Sequence, residues 1–530
     1  MIARAAFPKG NIYIRVRDEL GPVYRDEAFA LLFPSRGRPA ESPGRLALVT
    51  IFQFAEALSD RAAADAVRSR IDWKYALGLE LSDPGFDASV LTEFRARLIA
   101  SDQARLLFET LLNQLQGAKF VKARGKQRTD STRVLAAVHD YNRLECIWEA
   151  MRWALNSLAQ VAPEWLRQLA RHEWYERYAR RPEGFRLSEQ KRRALVEQIG
   201  VDGHKLLDAV YTAPATLELS SLQAVEALRQ IWVQQFYLAE GKLSWREGKN
   251  QPPSKQMIYS PYDMEARLAA KRETAWQGYK VHLTETVDPE GPQLITDVET
   301  SSAPVTDKEA LSKIQARLAE QELLPEEHLV DAGYVTSEHL VSSKKEYGVR
   351  LVGPIIEDPS WQAKEGTGFT VSDFQIDWEN KRAVCPKGKV SSQWQPWRTE
   401  YGMDVVYIHF LKKDCSVCPS LQDCTKAKRQ RRVIMVNAQP YHEAIQVARA
   451  EQRTEEFKEL YHGRAGIEGT ISQAVHVMGM RKTRYRGLAK TNLQHYATAA
   501  ALNVVRLGAW LLDRPRAKTR KSPFLALKAA

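Results

Sequence analysis

Cysteine is scarce in this chain, with five cysteines among 530 residues. So few cannot form the disulfide framework that stabilises small secreted proteins. The chain also lacks any run of 18 apolar residues, and its first ten residues, MIARAAFPKG, contain no apolar signal-peptide core. The sequence therefore predicts neither a membrane span nor export, and we expect a cytoplasmic protein.

Acidic residues are outnumbered, with 65 Asp and Glu against 77 Lys and Arg, so the formal net charge is +12. A basic balance favours a polyanionic partner, although each basic cluster alone could be ordinary solvated charge. The clusters lie at 426–432, 481–486 and 514–521, and Tyr485 interleaves the second. Together they suggest a surface that follows a phosphate backbone.

Three acidic residues lie in distant segments of different character. Asp130 and Asp331 lie in or just after short strand-like runs, and Glu468 lies on a helical pattern. Mg²⁺ prefers oxygen ligands and keeps several waters, so a few carboxylates are enough to hold it. Two such ions about 3.5–4 Å apart would form a phosphoryl-transfer centre.

Glu468 has the most informative surroundings, in the pattern Tyr-x2-Arg-x3-Glu. At 100° per residue, Tyr461, Arg464 and Glu468 fall within an arc of about 60° on one helix face. An arginine one turn before the carboxylate can orient it and pair with a phosphate. The alternative is a solvated Arg/Glu pair on a surface helix.

The motifs TDST, VDAGY and Tyr-x2-Arg-x3-Glu occur in this order and are followed by the basic stretch MRKTRYRGLAK. With WQGYKVHLTET (276–286), FDASVLTEFRARL (86–98) and a cysteine-containing insertion, the pattern spans about residues 45–510. It resembles a DDE transposase of bacterial insertion sequences, whose catalytic core is RNase H-like. The resemblance implies a metal-binding catalytic triad of Asp130, Asp331 and Glu468, which holds two Mg²⁺ or Mn²⁺ ions.

The resemblance further implies cleavage of double-stranded DNA at the element's terminal inverted repeats and strand transfer into target DNA, by a homodimer in the nucleoid. Tyr461 and Arg464 are expected to contact the DNA. Some family members place a lysine seven residues after the glutamate, where this chain has Val475, so Arg481, Lys482 or Arg484 is expected to contact phosphate instead. The alternatives are a structure-specific nuclease on the same core and a domesticated DNA-binding protein without activity.

Other acids compete with the first two ligands. Asp297 lies inside a strand pattern, and Asp307 is typical of a helix N-cap. Asp140 follows the end of the first strand pattern. Asp331 is preferred as the second ligand because it follows a buried-looking Leu-Val pair, at the strand end where α/β sheets place chemistry.

Four of the five cysteines occur around one segment: Cys385, Cys415, Cys418 and Cys424. The Cys-x2-Cys spacing is typical of a structural zinc site of four thiolates. Reduced, partly buried thiols are the alternative, because the other two gaps are loose for a zinc ribbon. Cys146 lies in a helical pattern and is predicted to belong to the core.

Periodicity predicts an α/β fold with a mixed-sheet core, a helical N-terminal domain and two insertions. The predicted segments are an irregular 1–44, a helical DNA-binding domain 45–118, core 119–139, a helical insertion 140–255, core 256–355, a cysteine-containing basic insertion 356–450, a core helix with Glu468 and a C-terminal helix 451–512, and a basic tail 513–530.

Within the N-terminal domain, apolar residues recur at helical spacing over 90–98 and again over 106–115. Ser101 and Asp102 are predicted to break the pattern and to cap the second helix. The pair could be a helix-turn-helix unit that contacts DNA or only a packing hairpin.

Overall fold

The structure is a computed structural model that describes residues 2–33, 41–180, 188–212, 214–400 and 402–514. Most of the proline-containing loop expected before residue 44, and residues 515–521 of the last basic cluster, lie outside the described residues. Along the described chain, no helix combines the length and apolar character needed to cross a bilayer.

The fold is mixed α/β, as expected. The strands are β1 (Gln127–Leu135), β2 (Phe236–Ala239), β3 (Lys242–Trp245), β4 (Arg267–Lys271), β5 (Thr274–Thr286), β6 (Ile295–Ser302), β7 (Glu327–Val330), β8 (Arg350–Val352), β9 (Gln375–Asp377), β10 (Arg382–Val384), β11 (Gln393–Arg398), β12 (Asp404–His409) and β13 (Val433–Asn437).

Helices surround these strands. They are α1 (Ile2–Ala6), α2 (Ile12–Leu20), α3 (Pro43–Ala55), α4 (Asp60–Ser69), α5 (Ile71–Leu77), α6 (Ser89–Ala100), α7 (Leu106–Gly117), α8 (Arg143–Val161), α9 (Pro163–Leu169), α10 (His172–Tyr178), α11 (Glu189–Thr212), α12 (Gln223–Gln235), α13 (Asp307–Glu320), α14 (Ser337–Tyr347), α15 (Trp361–Glu365), α16 (Lys412–Cys415), α17 (Leu421–Cys424), α18 (Gln439–Glu451), α19 (Glu455–His462), α20 (Gly466–His476) and α21 (Leu488–Leu511).

The main sheet has the strand order β4-β5-β1-β7-β8. The long strand β5 pairs with β4 along its first residues and with β6 along the rest, and both pairings are antiparallel. On its other side β5 pairs antiparallel with β1, whereas β1, β7 and β8 run parallel. The end of β7 is therefore brought beside the middle of β1.

The last helix, α21, packs against this sheet. Ala497, Ala499, Ala500 and Ala501 are fully buried, and such small side chains allow a close approach of helix and strands. The Asn503 amide accepts a hydrogen bond from Ile295 N (2.6 Å) and donates one to Ile295 O (2.9 Å). A buried polar residue is tolerated here because the first backbone groups of β6 satisfy it.

The N-terminal helices share the same apolar core as α21 and the sheet. The prediction of an irregular segment over 1–44 is wrong in part, because Asn11 caps α2 and accepts hydrogen bonds from Tyr13 N and Ile14 N. Apolar residues of α2 then anchor it in the core. Sequence reasoning missed α2 because a nine-residue helix of modest propensity depends on tertiary packing.

The prediction that Asp102 caps α7 is also wrong. Asp102 has φ +56° and ends α6, where Gln103 N donates to Leu98 O. Asp tolerates this left-handed conformation better than most residues, so the same side chain that favours a cap can also end a helix. Five apolar residues of α7 are fully buried: Leu107, Phe108, Leu111, Leu112 and Leu115. Their burial fits the packing-hairpin alternative for α6 and α7.

Helices α8 to α12 form a second apolar core and are followed by the β2–β3 hairpin. Cys146 is buried there, and burial raises the pKa of its thiol to about 12. The prediction that it is a core residue is confirmed. A third, smaller core lies among β9 to β13, in the segment that carries the other four cysteines.

Candidate active site

Asp130 and Asp331 lie on neighbouring parallel strands. Asp130 is within β1, and Asp331 follows β7 directly. Because Thr129 of β1 is in register with Val330 of β7, each aspartate comes one residue after a paired position. The two carboxylates are close enough that the charge of Asp331 raises the pKa of Asp130.

Glu468 lies in the first turn of α20. The single helix expected over 461–468 is interrupted, because a 3-10 turn at Gly463–Ala465 separates α19 from α20. Two glycines flank Arg464 and Ala465 at this turn, and glycine is a poor helix former. The φ and ψ angles of His462, Gly463, Ala465 and Gly466 are near-helical, so the chain keeps its helical course from Tyr461 to Glu468.

Arg464 connects two of the three acids. Its Nη2 donates to Asp130 Oδ2 at 2.5 Å, and its Nη1 donates to Glu468 Oε1 at 3.2 Å. The Arg464 side chain is 13% exposed and that of Glu468 is 67% exposed. The guanidinium therefore lies between a shielded carboxylate and one that is open to solvent.

The electrostatics of Asp130 reflect this position. Burial raises the pKa of Asp130 above its usual value, and Arg464 opposes that rise. Burial also raises the pKa of Tyr461 to about 12, with smaller contributions from the three acids around it. The Tyr461 phenol is therefore neutral near pH 7 and can only donate or accept a hydrogen bond.

Three carboxylates provide the hard oxygen donors that Mg²⁺ requires, so the donor chemistry fits this metal. In the described part of the chain, however, no group of three or more His, Cys, Asp or Glu side chains is arranged to hold an ion directly. The guanidinium of Arg464 occupies the space between Asp130 and Glu468. Binding of a cation by both carboxylates would require Arg464 to move.

A buried ionic network fixes the Glu468 helix to the sheet. Glu285 of β5 is fully buried and is the cross-strand partner of Arg128 in β1, with 2.5 Å between Oε1 and Nη2. Its Oε2 accepts hydrogen bonds from Arg506 Nη1 (2.7 Å) and Thr470 Oγ1 (2.6 Å). Arg128 Nη1 also donates to Gly463 O at 2.5 Å. The network joins β1, β5, α20 and α21.

Gly466 shows how closely α20 approaches this network. A Cβ atom on Gly466 would lie 2.2 Å from Arg128 Nη1. Glycine two residues before Glu468 is therefore a packing requirement. Sequence reasoning missed the whole network, because its members are far apart in the chain and each looks like an ordinary surface residue.

The competing acids have other partners. Asp297 is fully buried and pairs with Arg317 at 2.7 Å and Arg105 at 3.0 Å. The prediction that Asp307 is a helix N-cap is wrong, since Thr306 holds the cap position and Asp307 begins α13. Instead, Asp307 pairs with Lys280 Nζ at 3.0 Å.

A groove of about 820 Å³ begins beside Asp130. Its lining includes Ser131, which follows Asp130 in β1, and Asp307. The remaining charged residues of the lining are cations: Arg133, Lys255, Lys271, Arg272, Lys280 and Arg481. We call this cavity the basic groove. Sequence reasoning identified only Arg481 among its cationic side chains, because the other five do not form a cluster along the chain.

The basic segment 481–486 lies against the end of β1. Leu135 N donates to Arg481 O, and Arg481 Nη1 donates to Thr132 Oγ1 at 2.8 Å. Lys482 is exposed. This pairing brings the segment next to the basic groove, as a phosphate-contact role requires.

The remaining predicted DNA contacts have protein partners. Arg484 Nη1 donates to Leu58 O at 2.8 Å, and its guanidinium carbon lies 4.7 Å from the Phe54 ring centroid. Tyr461 stacks on Phe457 with 5.6 Å between centroids. These contacts hold Arg484 against the N-terminal helices, and they pack Tyr461 against Phe457 one turn earlier in α19.

Two family matches lie at the two ends of the chain. Residues 384–508 match the family described as Transposase DDE domain, and residues 2–97 match the family described as Transposase domain (DUF772). Together the two matches support an insertion-sequence DDE transposase. No curated protein and no solved structure matches this chain.

The DDE match contains Glu468 and all four clustered cysteines of the transposase, whereas Asp130 and Asp331 lie between the two matched ranges. The matches support a transposase role, and the DDE family implies DNA binding and suggests DNA phosphoryl transfer with divalent metal ions.

Proposed function

We propose that this transposase cleaves DNA at the ends of its element and joins the freed ends to target DNA, with Asp130, Asp331 and Glu468 as the catalytic metal ligands. The core would be RNase H-like. Three antiparallel strands, β6, β5 and β1, followed across the sheet by parallel β7 and β8, support this reading.

The observation that carries the proposal is the meeting of three carboxylates that are far apart in the chain. Adjacent parallel strands supply Asp130 and Asp331, and Arg464 bridges Asp130 to Glu468. Burial lowers the pKa of Arg464, but Asp130, Tyr461 and Asp331 and the hydrogen bond to Glu468 raise it overall. All three acids therefore act electrostatically on one guanidinium.

In the proposed reaction, water attacks a phosphodiester at the element end and releases a 3′-hydroxyl. That hydroxyl then attacks a phosphodiester of the target, and each step breaks one P–O bond as another forms. When bound, Mg²⁺ supplies activation of the attacking oxygen and stabilisation of the leaving oxygen. Asp130, Asp331 and Glu468 would hold it, and Arg464 would exchange its carboxylate partners for the phosphate beside the scissile bond.

The basic groove is the proposed path of the strand that leads into the site. Lys271 and Arg272 are exposed at the β4–β5 turn, and Lys482 is exposed near the end of β1. Contacts of this kind position DNA through its phosphates without reading its sequence. Because two element ends must be processed together, a homodimer on DNA is part of the proposal.

The test uses DNA that spans the end of the element, taken from the sequence flanking the coding region. We expect Asp130→Asn, Asp331→Asn and Glu468→Gln each to abolish cleavage in Mg²⁺ while binding to the same DNA survives, because each keeps the side-chain shape and removes the charge. Glu455→Gln is the matched control, since Glu455 is 81% exposed on the neighbouring helix α19.

A triad variant that still nicks DNA at the wild-type rate would remove that residue from the set of ligands. Wild-type protein that nicks DNA without joining ends to a second duplex would instead be a nuclease. Wild-type protein that binds the ends and never nicks them in Mg²⁺ or Mn²⁺ would be a DNA-binding protein without activity.

A further inference from the structure

The four clustered cysteines come together in space. Cys385 follows β10, Cys415 ends α16, and Cys424 ends α17, with Cys418 in the turn between these two short helices. All four line one cavity of about 220 Å³. They are free thiols, and Cys385, Cys415 and Cys424 pack against the same small apolar core.

The backbone around Cys385 is arranged to support a thiolate. Cys385 begins a tight turn in which Gly388, with φ +77°, donates its N–H to Cys385 O at 2.8 Å. The turn directs Lys389 N to Cys385 Sγ at 3.3 Å. A backbone N–H directed at the sulfur is an outer contact of the kind that orients a metal-ligating cysteine.

The unit that carries these cysteines has little else to stabilise it. We call residues 369–437 the cysteine module. Its core contains seven buried apolar residues, which are Phe374, Ala383, Val406, Ile408, Phe410, Ile434 and Val436. An apolar core in a unit of roughly 70 residues rarely supplies more than about 3–5 kcal/mol, and such units commonly rely on a disulfide or a metal.

We propose that Cys385, Cys415, Cys418 and Cys424 bind one structural Zn²⁺ that closes the cysteine module. The inference is independent of the catalytic proposal, because it concerns the folding of this module. A bound Zn²⁺ would give all four sulfurs one common partner and would contribute directly to the folding of the module.

Binding would draw the sulfurs inward. The described residues contain no cysteine group already arranged around an ion, and a tetrahedral zinc site needs Zn–S distances of about 2.3 Å and sulfurs roughly 3.8 Å apart. Cys415 and Cys418 lie on short elements held by single-turn hydrogen bonds, such as Cys418 N to Cys415 O at 3.1 Å. Small rotations in these elements would close the site.

The test is metal analysis of the full chain, purified under reducing conditions from cells supplied with zinc. We expect about one zinc per chain, as a structural site of four thiolates predicts. Cys415→Ser/Cys418→Ser should lose the zinc. Cys146→Ala should keep it, because Cys146 lies in the core of α8 to α12.

A second measurement does not depend on whether the variants fold. Wild-type chain that has been reduced and stripped of metal is titrated with Co²⁺, and we expect uptake of one equivalent with the charge-transfer absorption of tetrahedral thiolate coordination. Zinc should then displace the cobalt. Purified wild-type protein without zinc, whose stripped form also fails to bind Co²⁺, would overturn the proposal, and so would stoichiometric iron.

Discussion

The buried carboxylate of Glu285 offers the sharpest test of how the sheet holds the Glu468 helix. The Glu285→Gln change keeps the size of the side chain and removes the charge that two buried arginines share. Arg128 is 3% exposed at its side chain and Arg506 is 17% exposed, so water can compensate them only in part. We expect the variant to lose stability in the main core.

The magnitude follows from the burial of the network. Removing one partner of a buried ion pair costs about 3–5 kcal/mol, because the other charge stays buried without compensation. For a domain of about 150–250 residues each kcal/mol lowers the melting temperature by roughly 2–4 °C, so we expect a decrease of roughly 6–20 °C.

Thermal unfolding gives the overall change, and hydrogen exchange followed by mass spectrometry gives its location. A chain with several cores need not unfold in one step, so the local measurement is decisive. Exchange should increase in the β1 peptides and in α20, because Thr470 and Gly463 lose their anchors. Cleavage should fall even below the melting temperature, since Glu468 is then less well positioned.

Glu290→Gln is the matched control for this experiment. Glu290 is an exposed glutamate five residues further along, so the same substitution should shift the melting temperature by no more than roughly 2 °C. A double-mutant cycle with Arg506→Met should show coupling, because removing the second charge relieves part of the penalty. An unchanged melting temperature and unchanged exchange in Glu285→Gln would refute the reasoning.

Two other predictions concern the basic groove and a buried histidine. Lys271→Ala/Arg272→Ala should weaken binding to terminal and unrelated DNA alike, and the slope of log affinity against log salt concentration should fall by about two units. Lys242→Ala, which lies outside the groove, should change neither. A loss of affinity confined to terminal DNA would contradict phosphate contact. Burial lowers the pKa of His495 to about 3. Below about pH 6.5 the unfolded state therefore binds a proton at His495 that the folded state does not bind. The free energy of unfolding should decrease as the pH falls from 7 to 5. His495→Gln should reduce this dependence in melting experiments without removing it, because burial lowers the pKa of His282 and His328 as well. An identical profile would exclude a contribution from His495.

Sequence reasoning located most of the sheet and the helices that flank it. The strand-like runs expected at Asp130, before Asp331 and around Asp297 correspond to β1, β7 and β6, and the helical patterns over 90–98 and 106–115 correspond to α6 and α7. Apolar periodicity was sufficient here because each element buries one continuous face. Element ends were less reliable, since Asp102 and Asp307 carry side chains suited to a cap yet lie elsewhere.

By itself the sequence singled out the three acids, the Tyr-x2-Arg-x3-Glu pattern and the resemblance to DDE transposases. These features can be recognised in the sequence because ligand spacing and helix periodicity depend only on residues that are close together in the chain. Only the tertiary structure decided that Arg464 bridges two of the acids and that Glu285 anchors the Glu468 helix. It also decided that four cysteines share one cavity. These contacts join segments tens to hundreds of residues apart, and strand pairing and helix packing bring them together.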